Sequence, residues 1–149
     1  MTKIDQRKFP QKVIDALLSN EDYLHKSTLD PKLLELIKLR VSYINECAYC
    51  IDMHFKISEH LGETSQRLYS VSAWKETEYY SEKEKVALQF AESLTNIQGK
   101  EIPEEIFTQV KNYFSDEEIT DLSIAIAQIN TWNRLTRVFN YKVGSYQVN

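Results

Sequence analysis

Apolar residues along the chain recur at three- and four-residue steps, the spacing that lines one face of a helix, and rarely alternate as a half-buried strand requires. Val13, Ile14, Leu17 and Leu18 open the series, with Pro10 at the first helical position and an end near Asn20. Asp30-Pro31 marks a sharper start, because the carboxylate can accept backbone N–H bonds as an N-cap and proline has no N–H to leave unpaired. Leu33, Leu34, Ile37 and Val41 then share one face. After the polar break Asn45-Glu46, helical spacing resumes through Ile51, Phe55, Ile57 and Leu61 and stops at Gly62, which suits a left-handed C-terminal cap. Cys47 falls at or near the N-terminus of this helix.

Farther on, Thr64 caps a shorter helix carrying Leu68, Val71 and Trp74. Ser81 with Glu84, and Ser115 with Glu118, have the spacing of capping boxes. The first precedes Val86, Leu88, Phe90, Ala91 and Leu94, a helix predicted to stop before Gly99. Pro103 opens the next, with Ile106, Phe107 and Val110. The second box starts the longest pattern, whose buried face is expected to be Ile119, Leu122, Ile126, Ile129 and Trp132. No repeat or biased linker divides the chain. The pattern predicts one all-α domain over residues 1–149, built from six or seven helices.

Composition narrows the functional classes. Three glycines and three prolines in 149 residues make about 4% of the chain where about 12% is usual, too few turn-formers for a many-stranded sandwich or barrel. A hydrophobic share of 42% with a net charge of only −4 argues for a folded chain. Without a basic cluster there is nothing to neutralise phosphates, so nucleic acid is not an expected partner. Apolar runs such as Ile124-Ala125-Ile126-Ala127 fall far short of the roughly 20 residues that cross a bilayer, so no membrane partner is expected. The stretch Met1 to Pro10 lacks the apolar core of a secretory signal, and the expected compartment is the cytoplasm.

The chemistry concentrates in Cys47-Ala48-Tyr49-Cys50-Ile51-Asp52-Met53-His54. The chain has no other cysteines, too few for a disulfide-stapled secreted fold. At about 100° per residue, Cys47, Cys50 and His54 share a helical arc of about 60°, with His54 one turn beyond Cys50. A thiolate is a nucleophile whose pKa a helix N-terminus or a nearby base can lower, and both are at hand. Once oxidised by a peroxide to a sulfenic acid, it can be captured by a second thiol as a disulfide. The helix terminus favours Cys47 as the attacking thiol, whereas proximity to His54 favours Cys50. Two other readings compete: inert buried thiols, and a zinc site, which needs four ligands where His25 and His60 form no second pair and Glu35 would be an unusual fourth. Asp52 reads as a solvated charge and Glu46 as an electrostatic partner of the helix start. Asn130, Asn133, Arg134 and Arg137 form a polar row that reads either as a solvated face or as a seam between subunits.

Leu33-Leu34-Glu35-Leu36-Ile37-Lys38-Leu39-Arg40-Val41-Ser42, followed by Asn45-Glu46-Cys47-Ala48-Tyr49-Cys50 and His54, resembles the core of the alkylhydroperoxidase D-like (AhpD-like) branch of the carboxymuconolactone decarboxylase family. The likeness is strongest over residues 30–62. It continues more weakly through Ser81 to Leu88 and Asn130 to Arg134. The specific element is a glutamate twelve positions before Cys-x-x-Cys with a histidine four after it. The resemblance implies an orthogonal all-helical fold, assembly as trimers or hexamers, and reduction of hydroperoxides without a metal or organic cofactor. On that pattern Cys50 becomes the sulfenic acid, Cys47 donates a proton and resolves it as a disulfide, and Glu35 with His54 forms a proton relay. An external dithiol, lipoyl-bearing or similar, restores the thiols. The sequence departs at Tyr49, where the family pattern has histidine; the phenol can still hold water or substrate, or pack at a subunit contact. A decarboxylase of the same superfamily is disfavoured by the cysteine pair. The alternative function is a non-enzymatic redox sensor or oligomeric binding protein using the same thiols.

Overall fold

Polar side chains start the helices where their hydrogen bonds require. The Asp30 carboxylate accepts the backbone N–H of Lys32, the Thr64 hydroxyl that of Arg67, and both capping boxes, Ser81 with Glu84 and Ser115 with Glu118, close in each direction. In the computed structural model, which describes residues 3–148, seven α-helices follow one another: α1 (Gln11–His25), α2 (Pro31–Ile44), α3 (Ala48–His60), α4 (Ser65–Ser70), α5 (Glu82–Thr95), α6 (Glu104–Tyr113) and α7 (Asp116–Val138). Short 3₁₀ turns occupy Gln6–Lys8 and Val71–Glu76, and the described residues contain no β-strand. Residues 1 and 2, part of the polar N-terminal stretch, and residue 149 lie outside them. No helix among the described residues is long and apolar enough to cross a membrane.

The boundaries differ from the sequence pattern in three ways. Pro10 and Pro103 stand one position earlier than expected, as N-caps with extended backbone. The segment after Thr64 breaks into α4 and a 3₁₀ turn kinked at Ala73. The third concerns α1, which runs on past Asn20 to His25. Its polar residues look like a terminus because they read as solvated, but they bond across to other helices: Asn20 to Gln128, Glu21 to Lys38 and Tyr23 to Asp121. Leu24 beyond them is fully buried.

Helix α2 is the central element and packs against α3, α5, α7 and the 3₁₀ turn. Leu33, Leu34, Ile37 and Val41 enter the larger core with Phe90, Leu122, Ile126 and Ile129. Leu36 and Leu39, on the opposite face, enter a second core with Leu68, Val71, Trp74 and Leu88. Burying one such leucine is worth roughly 1.5–3 kcal/mol. A helix enclosed this way must also bury its polar residues, and Glu35, Lys38 and Ser42 are each at most 3% exposed. These groups therefore have to find partners inside the protein. Gly62 ends α3 at φ +82°, as expected of a left-handed cap.

Ile4 meets the segment that follows α7. Ile4 N–H donates to the Val138 carbonyl at 3.0 Å, and Asn140 N–H to the Ile4 carbonyl at 2.8 Å, while the rings of Phe9 and Phe139 pack edge-on at 4.5 Å. These contacts direct the segment after α7 back over α3. There Lys56 Nζ, already paired with Asp52 at 2.9 Å, holds the carbonyl of Tyr146 at 3.1 Å. Asp52 is thus not a free solvated charge.

Candidate active site

Cys47 closes the turn between α2 and α3 without entering α3. Glu46 takes a positive φ of 52°, and Cys47, at φ −88° and ψ 93°, is the N-cap, its Sγ accepting the Cys50 N–H at 3.4 Å. The expected helical arc therefore holds for Cys50 and His54 but not for Cys47, whose cap geometry swings its sulfur over the end of the helix. The Cα atoms of Cys47 and Cys50 are 5.3 Å apart, within the range a disulfide spans, and the two sulfurs are bonded to each other. Both residues are buried, at 4% and 2% exposure.

One turn along α3, the His54 ring is buried and its Nδ1 lies 2.7 Å from Oε2 of Glu35. Glu35 Oε1 accepts from Lys38 Nζ at 3.0 Å. Burial alone would push the Glu35 carboxyl up, but the His54 imidazole and the Lys38 ammonium outweigh it and hold it at about 2. The other ring nitrogen, Nε2, has no hydrogen-bond partner in the protein. Glu35, weighed as a fourth zinc ligand, has both oxygens taken by these partners. Among the described residues no group of three or more His, Cys, Asp or Glu is arranged to hold a metal ion.

A cavity of about 300 Å³ opens beside these groups. Cys50, His54, Glu35 and Lys38 line it on one side; Leu18, Met53, Ile57, Ile129 and Trp132 supply apolar wall, and Tyr141 and Tyr146 come from the segment after α7. Cys47 does not line it. Trp132, expected on the buried face of α7, is half-buried because it faces this space. Tyr49 also lines the cavity and packs its ring 5.1 Å from that of Tyr141. Burial, with Tyr141 beside it, pushes the Tyr49 phenol up, so at neutral pH it is an O–H donor.

Sequence patterns missed Thr136. From α7 its Oγ1 sits 3.1 Å from the Cys47 sulfur and 3.6 Å from the Cys50 sulfur, and donates to the Asn133 carbonyl at 3.1 Å. No local signal could have found it, because more than 80 residues separate it from the cysteines. In the reduced protein this hydroxyl can turn its one proton from the Asn133 carbonyl to a thiolate, a bond worth about 1.5–3 kcal/mol when the acceptor is charged. The Thr136→Val variant keeps the shape and is expected to slow alkylation of the reduced thiols by iodoacetamide about tenfold at pH 7. An unchanged rate would remove Thr136 from the site.

The polar row of α7 divides: Asn130 and Asn133 turn to partners within the chain, whereas Arg134 and Arg137 are exposed. Asn45 Nδ2 donates to the side chains of Asn130 and Asn133 at 2.9 Å each, Asn133 donates to Ser42 Oγ at 3.2 Å, and Arg137 donates to the Glu46 carbonyl at 2.9 Å. Arg134 folds back on Asn130. Together they brace the turn whose last residue is Cys47.

The model of the carboxymuconolactone decarboxylase family matches residues 11–93, which include the whole α2–α3 core. The chain is 40% identical over 129 residues to the uncharacterised protein YdfG of Bacillus subtilis, covering 87% of this chain and 88% of that one. It superposes with TM-score 0.89 and 36% identity, over all of both chains, on the crystal structure of a protein of unknown function from Agrobacterium tumefaciens, a candidate antioxidant defence protein AhpD. The fold extends to the debrominase Bmp8, at TM-score 0.78 and 18% identity over 87% of this chain and 70% of that one. This chain is a member of the carboxymuconolactone decarboxylase family, in its AhpD-like branch.

Proposed function

We propose that this protein is a thiol-dependent peroxidase that reduces hydroperoxides through the Cys47–Cys50 pair. The observation that carries this reading is that Cys50 and buried His54, whose Nε2 has no protein partner, line one largely apolar cavity. His54, held by Glu35, takes the Cys50 proton. The thiolate attacks the distal oxygen of ROOH, the O–O bond breaks, ROH leaves with the proton, and Cys50 becomes a sulfenic acid. Cys47 gives up its proton and attacks that sulfur as a thiolate; the S–O bond breaks, the hydroxyl takes up that proton and leaves as water, and the disulfide forms. Two electrons have passed from the thiols to the peroxide, and an external dithiol, lipoyl-bearing or similar, returns them by exchange. The helix start stabilises Cys47 as a thiolate, because its Sγ accepts the Cys50 N–H, which suits a resolving thiol as well as an attacking one. Tyr49 is assigned a water or substrate contact through its hydroxyl. The single domain works without a metal or organic cofactor, in the cytoplasm, as a trimer or hexamer.

The test is stopped-flow mixing of the reduced protein with hydrogen peroxide and with cumene hydroperoxide. Loss of two thiols per chain, matched by one hydroperoxide and repeated on adding a dithiol, supports the reading. Thiols unchanged by peroxide would sink it. One oxidation without turnover, coupled to a change of assembly on a sizing column, would replace it with the redox sensor. The debrominase shares the fold, so a peroxide assay, and not the architecture, has to decide.

A further inference from the structure

The charged wall of the cavity does not end at Glu35. Lys38, one turn along α2, is 2% exposed, and its Nζ donates at 3.0 Å to Oε1 of Glu35 and at 2.9 Å to Oε2 of Glu21 on α1. Glu35 gives its other oxygen to His54. Four residues from three helices thus form one chain, His54–Glu35–Lys38–Glu21. Glu21, with 17% of its side chain exposed, is the member that reaches solvent. An ammonium is taken out of water only at high cost unless ionised partners surround it. Burial would push Lys38 down, but Glu35 and Glu21 together hold it above its ordinary value. It is a fixed positive charge in the wall that Cys50 also lines.

We propose that Lys38 is a positioning residue: its charge keeps Glu35 an anion aimed at His54 and favours the Cys50 thiolate, while Glu21 is the counter-charge that tempers both. This rests on Cys50 being the reacting thiol. A carboxylate between two donors offers each an acceptor, so Lys38 fixes which oxygen Glu35 presents to the imidazole. The charge itself acts at longer range. A nearby cation lowers the pKa of an acid and a nearby anion raises it, commonly by about 1–3 units at close approach. The titratable and charged groups facing the cavity are Glu21 and His25 from α1, Glu35 and Lys38 from α2, Tyr49 and His54 from α3, and Tyr141 and Tyr146 from the C-terminal segment. The wall from α7 is Ile129, Trp132 and Thr136 and carries no charge. Lys38 is the only lysine or arginine among them.

The test follows the alkylation rate of reduced protein by iodoacetamide from pH 5 to 10, in full-length chain carrying Cys47→Ser so that Cys50 alone reports. Lys38→Met is expected to move the midpoint up by about one pH unit, and Glu21→Gln to move it down. Lys38→Arg restores the parent midpoint. Simple loosening of the helices would move the first two variants in the same direction. A shared direction, or an unmoved midpoint in Lys38→Met, overturns the proposal. Should Lys38→Met fail to fold, Glu21→Gln decides by itself: a fall supports the proposal, and no change or a rise overturns it. Iodoacetamide reads the thiolate without peroxide. Opposite shifts in a protein that consumes no hydroperoxide therefore remove the peroxidase reading and leave this one standing. Peroxide turnover with unmoved midpoints does the reverse.

Discussion

Serine at position 50 is expected to reduce hydroperoxide consumption to the uncatalysed rate, whereas serine at position 47 leaves one oxidation per chain and blocks the disulfide. The distinction comes from access. Cys47 holds the better electrostatic position, with its sulfur at the helix N-terminus taking the Cys50 N–H. Cys50 lines the cavity with His54, and Cys47 does not. A nucleophile must reach its substrate before its pKa matters, so cavity access outweighs the terminus. After one equivalent of hydrogen peroxide, a sulfenic-acid trap is expected to label Cys47→Ser at Cys50 and to leave Cys50→Ser unlabelled. Labelling that survives in Cys50→Ser and is lost in Cys47→Ser would exchange the two roles.

Glu35→Gln is expected to destabilise the fold by about 3 kcal/mol at pH 7, within the range for breaking a buried ion pair from one side. An amide offers one acceptor where His54 and Lys38 both need one, so its NH₂ group confronts either the ammonium or the imidazole N–H. The pH dependence has a definite sign. The Glu35 carboxyl is held at about 2, below its ordinary 4.5, so its contribution is complete above about 4.5 and disappears as the pH falls toward 2. Glu84, Glu92 and Glu118 are also lowered and steepen the same acid limb. The measurement is therefore a difference: urea midpoints of parent and variant should lie far apart at pH 7 and converge between pH 4.5 and 2. A constant gap across that range would show that Glu35 acts through shape and not through charge.

Most of the helical framework was legible in advance because caps and periodicity are local. Asp30, Thr64, Ser81 and Ser115 bond their own helix starts within three residues, so spacing alone locates them. The misreadings came where polar side chains serve other helices. Asn20 looks like a helix end, and Asn130 and Asn133 like part of a solvated face or a subunit seam, because a sequence does not reveal that a polar group has a partner 85 to 108 residues away. Family resemblance brought Glu35 to the site before any geometry did. Lys38 lies three positions farther on, where neither spacing nor resemblance assigns it a role.

By itself, then, the sequence determined that the chain is helical, where its helices begin, and that two thiols and an imidazole lie within eight residues of one another. These follow from backbone hydrogen bonding and side-chain periodicity, which act over a few residues. Tertiary structure decided which sulfur meets the cavity, since Cys47 leaves the helix as its cap, and which distant groups surround the pair. Glu21, Lys38 and Thr136 come from α1, α2 and α7. They converge because α2 is enclosed on all sides, and a buried charge or hydroxyl persists only where the packing supplies its partner.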